Sequence, residues 1–122
     1  MILYIALGGG LGSVLRYLTS VVMDKYVSSP FPYATFLTNI LGCLLIGLFF
    51  GYFEKHHVIS QELKFFLITG FCGGFTTFST FSNENVQLLQ SNQIIMAFLY
   101  ISLSVFLGLM ATWFGLVLSK SL

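Results

Sequence analysis

The sequence predicts an all-α integral membrane protein of one domain, 1–122, with four transmembrane helices, the third of them broken in mid-membrane. Three observations predict it. Charged residues make up only 7% of the chain against 57% hydrophobic, where soluble domains carry roughly 25% charge. Four apolar runs each approach the about 20 helical residues needed to cross ~30 Å of hydrocarbon. Between Gly70 and Glu84 glycines and hydroxyl side chains crowd into one such run. Five basic and four acidic residues cannot solvate a globule of this size, so bilayer is the natural solvent. A net charge of +1 excludes nucleic acid as a partner, because that needs a basic face to displace counterions.

The first helix is expected over about 2–23, closed by Asp24-Lys25. It lacks the basic leader and small-residue cleavage pattern of a signal peptide, and Arg16 lies deep inside it, so it reads as a retained helix. Pro30 and Pro32 force a turn. The second helix is expected over about 33–53, free of charge until Glu54-Lys55-His56-His57. The third is expected over about 63–90 and the fourth over about 93–118. Short loops make consecutive helices antiparallel and bring both termini to one side. That side carries Lys55, Lys64 and Lys120, the other Lys25 with Arg16 nearby. So small an asymmetry leaves both a single orientation and insertion both ways up open. Gly8, Gly9, Gly10 and Gly12, then Gly42, Gly47 and Gly51, then Gly108 and Gly115 allow close backbone approach, which in lipid supplies much of the packing. Four such helices enclose little space, so a polar route needs a second subunit. Cys43 and Cys72 lie in apolar runs and read as small buried residues.

Gly70, Gly73 and Gly74 each weaken a helix by about 1 kcal/mol relative to alanine, and six hydroxyl or amide side chains follow by Asn83. Unwound backbone at membrane depth is tolerated only where protein, water or an ion satisfies it. Freed carbonyls suit a small hard cation, and a helix N-terminus beyond them suits an anion. A kink healed by the hydroxyls of its own threonines is the other reading. Phe75, Phe78 and Phe81 recur every third residue among Thr77, Ser79 and Thr80. Phenyl edges are electropositive, so this stripe is either core packing or the wall of an anion slot. Asn39 is an amide inside an apolar run and must find a partner. Tyr100 and Ser104 share one helix face. Glu84, ionisable near membrane depth, is a functional candidate by that fact. Arg16 is read either as an anchor snorkelling to the interface or as an attractor of anions to a vestibule.

These residues resemble the Fluc/CrcB fluoride-channel family along the whole chain. The resemblance rests on Gly9-Gly10-Leu11-Gly12 with Arg16-Tyr17, on Thr38-Asn39 followed by Gly42, and on the long string from Gly70 to Phe81. It implies an antiparallel, dual-topology homodimer in the cell membrane, with paired fluoride routes. It implies a structural sodium ion at the dimer centre, held by backbone carbonyls of Gly73 and Thr76. It assigns the fluoride pathway to Asn39, Phe78, Phe81, Tyr100 and Ser104, with Glu84 meeting the polar track and Thr77, Ser79 and Thr80 as nearby donors. Gly108 stands where some relatives carry a further serine, a departure at the outer end of that track. The implied function is passive export of cytosolic fluoride. A small dual-topology multidrug exporter would need a carboxylate in the first helix, where only Arg16 is charged. A non-transporting packing subunit is the remaining rival. No nucleophile–base pair, metal cluster or cofactor fingerprint points to an enzyme.

Overall fold

A computed structural model describes residues 1–57 and 60–122. Helix α1 runs Ile2–Tyr26 and α2 runs Tyr33–His56. A short α3, Gln61–Lys64, leads directly into a π-helical segment, Phe65–Cys72, and a single turn α4, Gly73–Phe75. Helix α5 covers Phe78–Gln90 and α6 covers Ile94–Ser119. The spans Ile2–Tyr26, Tyr33–His56, Gln61–Gln90 and Ile94–Ser119 are each long and apolar enough to cross a membrane.

Helix ends follow local chemistry. Pro32 stands at the start of α2, where its missing N–H costs nothing. His57 closes α2 in the left-handed region at φ 49°. The Ser60 hydroxyl accepts the Leu63 N–H at 3.2 Å and so caps α3.

Packing inverts the pattern of a soluble protein. Ile2, Ile95, Phe98 and Trp113 stand outward, while buried positions include Gly8, Gly12, Gly42, Gly47, Gly108 and Gly115. Large apolar side chains meet lipid, and small residues let backbones touch. Helix α2 packs chiefly on α6, and α1 on the π-helical segment and α4. A Cβ on Gly47 would overlap the Thr112 carbonyl, and one on Gly115 the Leu44 carbonyl. Tyr100, fully buried, anchors an aromatic cluster, with Phe31 at 5.3 Å and Phe81 at 4.9 Å, both edge to face.

Candidate functional site

Between α4 and α5 the chain leaves helical geometry for two residues. Thr76 (φ −90°, ψ 156°) and Thr77 (φ −151°, ψ 123°) are both extended. Threonine hydroxyls dress both ends. Thr76 Oγ1 donates to the Cys72 carbonyl at 2.9 Å, and Thr77 Oγ1 accepts the Thr80 N–H at 3.3 Å as the α5 N-cap. The healing of freed backbone by neighbouring hydroxyls is therefore part of this structure.

Asn39 supplies the rest. Its Nδ2 donates to the Thr77 carbonyl at 3.1 Å, and its Oδ1 accepts the Thr77 N–H at 2.8 Å. One side chain on α2 thus pairs with both polar groups of one extended residue, much as a neighbouring strand would. In a continuous helix the Thr77 N–H would bond Gly73 and the Thr80 N–H would bond Thr76. Both amides are diverted, so the carbonyls of Gly73 and Thr76 are released from the helical ladder together. Two carbonyl oxygens suit a hard cation such as sodium, although one chain alone offers too few ligands to enclose it. A Cβ added to Gly73 would meet nothing within 4 Å, so this turn stands at an open face. Among the described residues no group of three or more His, Cys, Asp or Glu could hold a metal.

Two cavities flank the extended pair. The first, about 430 Å³, is lined by Asn39, Cys43, Cys72, Gly73, Thr76, Thr77, Phe78, Phe81 and Ser104 among others. The second, about 350 Å³ and more polar, is lined by Arg16, Asp24, Thr35, Thr38, Thr77, Thr80 and Glu84 among others. Thr77 lines both. The Phe78 and Phe81 rings lie 5.7 Å apart, tilted by 44°, and Phe78 is 78% exposed. Phe75 departs from the stripe: it is buried and stacks on Phe71 at 5.7 Å. The two extended residues rotate the chain, so the third-residue aromatic spacing divides into one core ring and two cavity rings.

Glu84 accepts from two hydroxyls, Thr35 Oγ1 at 2.9 Å and Tyr100 OH at 2.9 Å. Ser104 Oγ is buried and has no hydrogen-bond partner among the described residues. Ser79 and Tyr100 line neither cavity; Ser79 Oγ lies 3.3 Å from Thr77 Oγ1, and Tyr100 joins the site through Glu84. Arg16 reaches neither reading's simple form. It lines the second cavity while its Nε donates to the Gly74 carbonyl at 3.1 Å, tying α1 to the turn before the extended pair.

Sequence reasoning missed Thr35 and the Arg16–Gly74 bond. Thr35 sits four residues before Asn39, hence on the same helix face, and that spacing was the available signal. It also missed Asn85, buried, whose Nδ2 donates to the Phe81 carbonyl and whose Oδ1 has no partner among the described residues.

Comparison with known proteins adds an independent line. The family described as CrcB-like protein, Camphor Resistance (CrcB), matches residues 3–116. A protein of Flavobacterium psychrophilum named fluoride-specific ion channel FluC is 77% identical over 121 residues, covering 99% of this chain and 98% of that one. Proteins of the same name from Phocaeicola vulgatus and Azotobacter vinelandii are 47% and 46% identical, covering 98% and 97% of this chain and 98% and 95% of their own lengths.

Proposed function

The chain belongs to the CrcB-like family, and from that premise we propose that it is a fluoride channel, not an enzyme, through which cytosolic fluoride leaves the cell down its gradient. The observation that carries this reading is Thr77, an extended residue that lines two cavities at once. An anion passing the level of the extended pair meets donors in sequence. Thr80 and Thr77 offer hydroxyls, and Asn39 retains one N–H beyond the one engaged by Thr77. The Phe78 and Phe81 ring edges follow. The Ser104 hydroxyl, which has no hydrogen-bond partner among the described residues, can turn toward an anion. Thr35 and Tyr100 can exchange their bonds to Glu84 for bonds to a passing ion, while Arg16 raises the anion concentration at the mouth. Such a slot compensates the dehydration of a small anion in steps, and the larger chloride fits it poorly.

The break belongs in mid-membrane on this reading, and that requires a second copy. The released carbonyls of Gly73 and Thr76, the Asn39 amide and the Ser79 hydroxyl cannot face hydrocarbon. An antiparallel partner inserted the other way up in the plasma membrane would cover the exposed Phe78 and complete a ring of four carbonyls about a sodium ion. The near balance of Lys and Arg between the two sides is compatible with such dual insertion. Gly73 and Thr76 would hold that ion, and it would neutralise carbonyl dipoles that otherwise repel one another.

Liposomes carrying the purified protein are expected to release fluoride and to retain chloride. Fluoride release should fall when sodium is replaced on both sides by a larger organic cation. Equal release of the two anions would overturn the selectivity, and full flux without sodium would overturn the cation seat. Phe78→Ile and Phe81→Ile should each slow fluoride release at least about tenfold, the equivalent of losing ~1.4 kcal/mol of barrier stabilisation. An unaltered rate on a fluoride electrode would remove that ring from the path.

A further inference from the structure

Helix α2 meets the extended pair twice. Asn39 grips the backbone of Thr77, and one turn further on the buried Gly42 lies against Thr76. A Cβ on Gly42 would overlap Thr76 Cγ2, while its next neighbours, Phe75 Cδ2 and Thr76 Cβ, would both stand at an ordinary 3.6 Å. The gap left by the glycine is therefore filled by a single methyl group. Thr76 Oγ1 donates to the Cys72 carbonyl at 2.9 Å, which fixes χ1 of this β-branched side chain and with it the place of the methyl. The Thr76 carbonyl and the Thr77 N–H share one peptide plane, and in a trans peptide they point in opposite directions. With the Thr77 N–H on Asn39 Oδ1 at 2.8 Å, the Thr76 carbonyl is turned away from the Asn39 amide. Asn39 thus holds the far side of that plane, and the gap at Gly42 holds the near side.

We propose that Gly42 is a positioning residue for the cation seat: the gap at its missing Cβ receives the Thr76 methyl and so aims the Thr76 carbonyl, a role that rests on the sodium reading given above. Gly42 touches no ion itself, and its effect reaches the seat only through Thr76. An alanine at 42 pushes the methyl outward. The Thr76 backbone, tied through its hydroxyl to Cys72 and through the shared peptide to Asn39, must then shift and carry the carbonyl with it. Carbonyl ligation of a small cation depends on the placement of each oxygen, so such a shift weakens the seat. General crowding between helices would behave differently. An overlap confined to one methyl is relieved by removing that methyl alone, and Thr76→Ser does so while keeping the hydroxyl that bonds Cys72.

The test is a double-mutant cycle on the purified full chain, with N-methylglucamine replacing sodium. Two readouts are taken: the sodium concentration at half-maximal fluoride release from liposomes, and the sodium-dependent rise in unfolding temperature in detergent, which reports binding without conduction. Gly42→Ala is expected to raise the sodium requirement at least about tenfold through overpacking. Thr76→Ser, which leaves the gap empty, should raise it about threefold. The double variant moves one methyl from residue 76 to residue 42, and should return to within about twofold of the unaltered chain. An unaltered sodium response in Gly42→Ala, or a double variant no better than Gly42→Ala, would overturn the role of Gly42. If Gly42→Ala does not fold, the double variant should still bind sodium more tightly than Thr76→Ser, and equal or weaker binding overturns the role. A sodium-independent unaltered chain is a different failure: it would remove the seat itself, and the positioning role with it.

Discussion

Gly12→Val is expected to destabilise the folded chain by about 3 kcal/mol or more, whereas Gly10→Ala should leave it unchanged or slightly firmer. The two positions share one helix and differ in what they face. A Cβ on Gly12 would overlap the Phe71 carbonyl, while one on Gly10 meets nothing within 4 Å. The same main-chain contact recurs along the crossing: a Cβ on Gly8 would overlap the Phe66 carbonyl, and one on Gly74 the Gly9 carbonyl. Such overlaps are with backbone, which cannot rotate away as a side chain can. Valine therefore pushes the π-helical segment off α1. The displacement also breaks the Arg16–Gly74 bond one turn further along α1. Chemical denaturation in detergent, followed by Trp113 fluorescence, measures the difference. Equal stabilities for the two variants would show that the crossing is looser than the geometry describes.

Asn39→Leu is the second large effect, and it separates folding from conduction. Leucine leaves the Thr77 N–H and carbonyl without the partners they now have at 2.8 and 3.1 Å. Two part-buried groups losing partners, at up to about 1–3 kcal/mol each, disfavour the extended conformation. The least costly escape is to rewind: the Thr77 N–H returns to the Gly73 carbonyl and closes the ladder there. The variant is then expected to stay helical and to lose both fluoride release, by at least about 100-fold, and any sodium dependence. Asn39→Asp keeps the acceptor but opposes a carboxylate oxygen to the Thr77 carbonyl, so it should fall close to the leucine variant. Circular dichroism with liposome efflux checks the pair. Wild-type flux in Asn39→Leu would remove the splint from any role in conduction.

Much of this was legible in the residues. The four spans follow from the length of apolar runs, because nothing but a helix satisfies its own backbone in hydrocarbon. The irregular backbone near Gly73–Thr77 was signalled by glycines followed by hydroxyls. What escaped depends on partners distant in sequence. The π-helical register of Phe65–Cys72 has no local mark; that segment lies against the glycine face of α1, and side-chain-free contact leaves no composition signal beyond the glycines themselves. Arg16 offered two plausible environments, and only the approach of Gly74 unites them. The aromatic stripe could not be divided into core and cavity without knowing that Thr76 and Thr77 are extended. Tyr100 and Ser104 share a face as their spacing requires, yet one is wedged under Phe31 while the other borders a cavity.

The shared wall at Thr77 has an electrical consequence. With water in each cavity, the low-dielectric barrier between them is about one residue thick. On the proposed fluoride path, in which the two cavities open to opposite sides of the membrane, the membrane potential would fall across that thin septum rather than across the whole bilayer. A fluoride ion stepping past it on that path would cross most of the field at once, about 2.3 kcal/mol for each 100 mV. Two inverted copies would set two such septa in opposite senses, and the summed current would be the same for either sign of voltage.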